Sequence, residues 1–386
     1  AVEGLREGGH EGRITLVGAE THLPYDRPPL SKQLLAGAWE SDRLTYRDGD
    51  AMSALNVTTM LGRRAVSLDL QNRTVGLDTG EPLSFDGLVI ATGASPRTLP
   101  GTPALPGIYT LRTLDDALAL RAEFERGPRV AVVGAGFIGA EVAATARERG
   151  LDVTLIEAFP VPLVRAIGEE MGRICATLHF DHGVDVRLGV GVEAFGGTGR
   201  LERVLLSDGT AVEADVAIVG IGVMPNTQWL ESSGLELRDG VVCDAYCQAG
   251  APGVYAAGDV ARWYNPLFEE EMRVEHWTNA AEQGRAAALN LLAGAEKSTE
   301  YSPVPYFWSD QYGLTLQFVG HHGPGDEVEV VHGSPDERKF VALYRRGDRL
   351  VGAFGMAWSR IVMRYSSLIA KRATWDEALA FAKTLG

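Results

Sequence analysis

Three glycines and an acid carry the clearest chemistry in this chain. Gly134-Ala135-Gly136-Phe137-Ile138-Gly139 spells G-x-G-x-x-G, and Glu157 follows 23 residues after the first glycine. A dinucleotide pyrophosphate needs this arrangement. Gly134 allows a tight turn, Gly136 lets phosphates approach the backbone, and Gly139 lets a helix pack close to a strand. The helix N-terminus behind them then offers free N–H groups and a partial positive charge to the phosphates, and Phe137 and Ile138 within the motif are expected to line the NAD site. Glu157 is spaced to bind an adenosine ribose 2′-OH and would repel a 2′-phosphate, and no Arg or Lys follows it directly. The site is expected to prefer NAD(H). A Rossmann-like sheet that binds nothing is the alternative.

The elements that must hold these residues surround them. Val130-Ala131-Val132-Val133 is a short, mostly β-branched apolar run and reads as a buried parallel strand. An Ala-rich helix follows from about Ala140 to Arg149, and Val153-Thr154-Leu155-Ile156 reads as the next strand. Upstream, Arg13-Ile14-Thr15-Leu16-Val17 is a strand and Leu88-Val89-Ile90-Ala91-Thr92-Gly93 closes a first lobe. A Pro/Gly-rich joint leads from it to about Ile108. Downstream, turns at Gly196-Gly197 and Asp208-Gly209 suggest hairpins, ahead of the strand Val216–Gly220 and the loop from Gly222 to Asn226. Gly253 to Asp259 begins a return to the first lobe, and a helix is expected from about Thr278 to Leu292. From about Gly313 four apolar strands and two helices suggest a separate α+β domain. Val17 and Glu20 look like the end of a second Rossmann strand with its acid. A first strand and glycine loop are therefore expected ahead of Ala1.

Bulk composition narrows the function classes. A chain of 386 residues is too long for one ordinary domain. It has 45% hydrophobic and 23% charged residues, the balance of a globular protein. A net charge of −15 argues against broad attraction to nucleic acid or anionic lipid. No apolar run is long enough for a membrane span, and no signal-peptide pattern opens the chain, so a cytoplasmic location is expected. Three cysteines suggest a reducing compartment and no disulfide framework. No His/Cys grouping supports a metal site.

Six motifs fall in one order. They are Pro24-Tyr25-Asp26-Arg27-Pro28-Pro29-Leu30-Ser31-Lys32, Ala91-Thr92-Gly93-Ala94, the glycine motif with Glu141, Ala257-Gly258-Asp259-Val260, Glu275-His276-Trp277-Thr278-Asn279-Ala280, and Phe307-Trp308-Ser309-Asp310-Gln311-Tyr312. In this order they resemble the FAD-dependent NADH:ferredoxin reductases of bacterial oxygenase systems, over essentially the whole chain. The resemblance implies an α/β fold of two Rossmann-like dinucleotide-binding domains, glutathione-reductase-like, with a C-terminal α+β domain. FAD falls to residues 1–107 and 246–312, NAD to 108–245, and the last domain to 313–386.

The same resemblance implies roles for single residues. Glu20, Arg27, Thr92, Gly93, Arg97 and Asp259 would contact FAD. Asp259 is equally placed to cap a helix, and a lone Arg27 could be an ordinary surface charge. Lys32 would reach the flavin N5 region, held by Glu141, where a cation helps stabilise negative charge on the ring. The alternative is a plain surface ion pair worth about 0–1 kcal/mol. Trp277 and Trp308 would cover the flavin and nicotinamide, or else fill core. Gly222 joins the glycine motif and Glu157 on the NAD side. Disulfide reductases of this architecture carry an early cysteine pair, but here no cysteine precedes Cys175, and Cys243 and Cys247 read as structural.

The implied reaction passes a hydride from NADH to FAD and then single electrons to a [2Fe–2S] ferredoxin serving a cytochrome P450 or a ring-hydroxylating dioxygenase. The protein would be a monomer or weak homodimer. Arg345, Arg346, Arg360, Arg364, Lys371 and Arg372 either dock an acidic ferredoxin or are solvated charge. Rivals are a related reductase using rubredoxin, monodehydroascorbate or oxygen, and an apoptosis-inducing-factor-like NADH-sensing flavoprotein.

Overall fold

The computed structural model describes residues 1–385 and divides them into two compact units. One unit contains Arg27–Leu44, Pro96–Val223 and the chain from Tyr306 onward. At its centre is a five-stranded parallel sheet in the order Asp185–Leu188, Val153–Glu157, Val130–Val133, Val216–Val219, Ile108–Tyr109. All four residues of Val130–Val133 are buried, which is why this strand is apolar without alternation. The helix Phe137–Glu148 starts directly after Gly136, three residues ahead of the Ala140 start expected. Its first-turn N–H groups need no partner four residues back, so Phe137 and Ile138 can open it. Gly139, Ala140, Ala143, Ala144 and Ala146 are all buried, and their small size lets the helix lie close to the sheet.

The last part of this unit is an antiparallel sheet ordered Tyr306–Gln311, Leu314–Gly320, Arg349–Met356, Lys339–Arg346, Glu327–Ser334. Helices Ser359–Ala370 and Trp375–Ala382 follow it. The sheet begins at Tyr306 rather than near Gly313. Tyr312 and Gly313, at φ 53° and 72°, form the turn that folds the first strand onto the second. Nor do these strands keep a private core. Leu163, Ile167, Met171, Cys175 and Leu178, along or beside the helix Val164–Asp181, share one cluster with Phe307, Phe318, Phe340, Tyr344 and Phe354. The Tyr344 hydroxyl donates to the carbonyl of Ile167 at 2.7 Å, just before that helix breaks at Gly168 (φ 74°, ψ 176°). Residues 27–44 join this unit because Leu30, Leu34 and Leu35 are buried, and Arg149 donates to the Leu35 carbonyl at 2.9 Å.

The other unit contains Ala1–Asp26, Thr45–Ser95 and Met224–Pro305. Its parallel pairs are Ile14–Gly18 with Val57–Leu61 and Leu88–Ile90 with Val254–Ala256. Two three-stranded sheets and the helix Trp277–Ala293 complete it, around a core that includes Cys243, Cys247, Val254, Trp263 and Tyr301. The short helix Val2–Glu7 lies along Trp277–Ala293, and a Cβ on Gly4 would meet the Ala288 Cβ at 3.2 Å. Among the described residues no helix is long and apolar enough to cross a membrane.

Tyr344→Phe leaves the ring packing intact and orphans the Ile167 carbonyl. It is expected to cost about 1–2 kcal/mol in urea denaturation, against about 3–5 kcal/mol for Phe354→Ala, which empties core volume.

Candidate active site

The three glycines of the motif act for different reasons. Gly134 has φ 97°, and a Cβ there would come within 2.4 Å of the Gly220 carbonyl oxygen. A Cβ on Gly139 would lie 1.8 Å from the Gly134 oxygen. Both glycines are demanded by the protein itself. Gly136 is not: its φ of −72° suits any residue, and a Cβ there would meet nothing within 4 Å. Only an outside group lying against the backbone would exclude a side chain. The helix behind it starts with no side-chain cap, which leaves first-turn N–H donors for an anion. These residues fit a dinucleotide.

Glu157 ends its strand 8% exposed. Its two oxygens accept from Ala135 N at 2.6 Å and Phe159 N at 2.8 Å. The acid therefore braces the glycine loop, and each oxygen keeps a further lone pair for a hydroxyl. Phe137 packs on Phe307 at 4.4 Å between ring centres, whereas Ile138 is 42% exposed. Gly222, at φ 98°, accepts from Arg97 N at 2.9 Å, and the Arg97 guanidinium donates to the Val223 carbonyl at 3.0 Å.

Lys32 and Glu141 do meet, and not at the surface. Lys32 Nζ lies 3.4 Å from Glu141 Oε1 and 3.1 Å from Asp310 Oδ2, with side-chain exposures of 10%, 5% and 37% in that order. Its ammonium also sits 5.5 Å from the centre of the Trp308 ring. Ser31 Oγ donates to Glu141 Oε2 at 2.6 Å and Ser309 Oγ to Oε1 at 2.9 Å. Thr145, one turn along the glycine helix from Glu141, donates to the Ser31 carbonyl at 2.8 Å and fixes that loop. Burial pushes the Glu141 carboxyl above the usual range; Lys32, Ser31 and Ser309 oppose the shift, and Asp310 adds to it.

Motif reading singled out Lys32, Glu141 and Trp308 but missed Ser31, Ser309 and Asp310 as their partners. One signal was present. In Tyr306–Gln311 the residues Phe307, Ser309 and Gln311 are in phase, so two polar side chains are committed to the buried face with a Phe. Elsewhere, Arg27 donates to the Arg112 carbonyl at 2.6 Å. In the other unit Glu20 accepts from the Tyr25 hydroxyl at 2.5 Å. Thr92 Oγ1 donates to the Asn226 carbonyl at 2.9 Å, while Asn226 Nδ2 returns a bond to the Thr92 carbonyl at 2.8 Å. Asn226 N donates to the Gly93 carbonyl at 2.9 Å. Asp259 is half-buried in the turn Gly258–Val260, and its carbonyl accepts from Arg273 at 3.3 Å. Trp277 is 42% exposed and donates its indole N–H to Tyr46 at 2.7 Å; Tyr46 in turn donates to Asp26 at 2.9 Å.

The cysteines lie in the core. Cys175, Cys243 and Cys247 are free and buried. Burial pushes the thiols of Cys175 and Cys247 up to about 12 and that of Cys243 higher still. Among the described residues no group of three or more His, Cys, Asp or Glu could hold a metal ion.

Two glycine variants should behave differently. Gly136→Ala should weaken NADH binding by about tenfold or more in a titration, the loss of one charge-assisted contact, with stability changed by about 1 kcal/mol or less. Gly139→Ala should lower the melting temperature first, because its Cβ meets backbone.

Comparison with known proteins identifies the family. Residues 1–284 match the pyridine nucleotide-disulphide oxidoreductase family and residues 306–384 the reductase C-terminal family. The ferredoxin–NAD(+) reductase component of the anthranilate 1,2-dioxygenase system of Burkholderia cepacia is 38% identical, across 100% of this chain and 94% of its own length. The putidaredoxin reductase of Pseudomonas putida is 37% identical, across 90% and 83%. The crystal structure of the covalent putidaredoxin reductase–putidaredoxin complex superposes with a TM-score of 0.91 at 34% identity, across 96% of this chain and 89% of that one. This chain belongs to the pyridine nucleotide-disulphide oxidoreductase family.

Proposed function

We propose that the protein is an NADH-dependent flavoprotein reductase that delivers single electrons to a [2Fe–2S] ferredoxin, which in turn serves a ring-hydroxylating dioxygenase or a cytochrome P450. The observation that carries this reading is Lys32, a cation held almost out of water by an acid of the dinucleotide helix, in a chain without a reactive thiol. Bound FAD supplies the exchange between the paired electrons of NADH and the single electrons of an iron–sulfur cluster. The chain's own residues supply the setting. The glycine loop and helix N-terminus bind the NADH pyrophosphate, and Glu157 reads the ribose. Lys32 contributes fixed positive charge, which at the N1/N5 edge of a flavin favours electron uptake. Glu141 orients that charge, and Trp308 shields it.

In one unit Arg27, Arg97, Lys32 and Trp308 are the residues proposed for FAD; in the other, Glu20, Thr92, Gly93, Asp259 and Trp277. By ligand rather than by compactness, the chain divides into 1–107 with 246–312 for FAD, 108–245 for NAD, and 313–386 for the partner. Three free thiols fit a reducing compartment, the cytoplasm.

For docking, the six basic candidates separate. Arg345 pairs with Glu327, and Arg346 with Asp326 at 2.7 Å. The helix Ser359–Ala370 instead presents Arg360, Met363, Arg364 and Ser367 on one exposed face, followed by exposed Lys371 and Arg372. No acidic residue occurs between 359 and 372, in a chain of net charge −15. Such a face suits an acidic ferredoxin.

Purified protein should show a flavin spectrum that bleaches with NADH under anaerobic conditions and recovers on adding a [2Fe–2S] ferredoxin. Bleaching without recovery would overturn the assignment of the acceptor. Arg360→Glu with Arg364→Glu should raise KM for ferredoxin about tenfold at low salt and flatten its salt dependence, with NADH-driven ferricyanide reduction unchanged.

A further inference from the structure

We propose that Ser309, oriented by Gln311, is a positioning residue: its hydroxyl is the donor that keeps the buried Glu141 side chain a carboxylate and thereby keeps Lys32 in place. The inference deepens the reading of Lys32 and Glu141 given above and rests on it for its consequence, not for its chemistry.

The geometry fixes the direction of the proton. Gln311 Nε2 donates to Ser309 Oγ at 3.1 Å, and Ser309 Oγ lies 2.9 Å from Glu141 Oε1. An amide nitrogen can only donate, so Ser309 receives on its lone pair and directs its own proton to Glu141. Ser31 Oγ lies 2.6 Å from the other oxygen, with the Pro28 carbonyl at 3.5 Å as its second neighbour. Both serines are 1% exposed or less, as is Gln311, so water does not substitute for either hydroxyl. A carboxylate accepts one hydroxyl donor on each oxygen, and Ser309 is the one whose proton a neighbouring amide directs.

The charged groups facing Glu141 are Lys32 on one side and Asp310 beside it on the strand. Glu157, on the neighbouring parallel strand, is turned away to Ala135 N and Phe159 N. Asp310 lies closer to Lys32 than Glu141 does and raises the cost of a second negative charge. Lys32 is therefore shared between two acids. The serine donors complete the compensation of Glu141. Ser309 belongs to the edge strand of the C-terminal sheet and Glu141 to the dinucleotide helix. The C-terminal sheet thus sets the charge state of the lysine's anchor.

The test is isotope-edited infrared difference spectroscopy of the carboxyl stretch across a pH titration, on wild type, Ser309→Ala, Ser309→Thr and Gln311→Met, with Glu141→Gln to assign the band. Loss of one charge-assisted donor should raise the Glu141 midpoint by about one to two pH units in Ser309→Ala. Gln311→Met should move it less in the same direction, and Ser309→Thr should restore it. Melting temperatures identify any variant that fails to fold, in which case Gln311→Met carries the test. An unchanged midpoint in folded Ser309→Ala or Gln311→Met would overturn the proposal. The same variants report separately on the reading beneath it. If the infrared midpoint moves and the pH profile of flavin reduction by NADH moves with it, both stand. If the infrared midpoint moves alone, Ser309 does hold the carboxylate but the pair does not serve the flavin.

Discussion

A carboxylate that is 4% exposed must be compensated where it lies, because water cannot do it. Glu141 imposes that requirement on this protein. Three stretches of chain far apart in sequence meet it: the loop carrying Ser31 and Lys32, the glycine helix itself, and the strand carrying Ser309 and Asp310. Two hydroxyls and an ammonium share one acid. A second acid, Asp310, is half open to solvent, braced by Thr315 at 2.8 Å, and bonded to the same ammonium. Removing the lysine would leave two acids together with no cation between them. That mutual dependence adds to the burial of Leu30, Leu34 and Leu35 in holding residues 27–44 in one unit with the glycine helix.

The glycine loop expresses a second constraint, close approach of backbone to backbone. Gly134 faces the Gly220 carbonyl and Gly139 faces Gly134. The loop is thus sealed from below by glycine contacts and braced from the side by Glu157 through Ala135 N. What remains uncommitted is the outer surface at Gly136. A rigid floor with one unobstructed glycine is a pre-formed cradle, and binding there orders little that is not already ordered.

Much of this was legible in the sequence, for physical reasons that differ between elements. The strand Val130–Val133 is buried on both faces, so its apolar run needs no periodicity to be recognised. The helix from Trp277 to Ala293 and the four C-terminal strands were found within a few residues of their observed ends. Lys32, Glu141 and Trp308 stand in motifs of fixed order, and they do converge. What was not legible depends on contacts distant in sequence. No local signal joins Ser31 and Ser309 to one carboxylate 110 and 168 residues away, respectively. Nor could the pairing of Arg346 with Asp326 be told from a docking charge before the hairpin between them was folded. The strand Tyr306–Gln311 was legible as a motif but not as a strand, because Tyr312, which turns the chain after it, adopts a backbone conformation usually reserved for glycine.

The core shared by the helix Val164–Asp181 and the antiparallel sheet has a bearing on evolution and engineering. Residues 306–384 match a family of their own, which invites treating them as a module. Physically it is not one: Leu163, Ile167, Met171, Cys175 and Leu178 share a single core cluster with the aromatic residues of its sheet. A graft that exchanges only the C-terminal segment, in order to change redox partner, would set one lineage's phenylalanines against another's helix. Successful recombination must cut before Leu163 and carry the helix with the sheet, so partner choice and dinucleotide domain are inherited together.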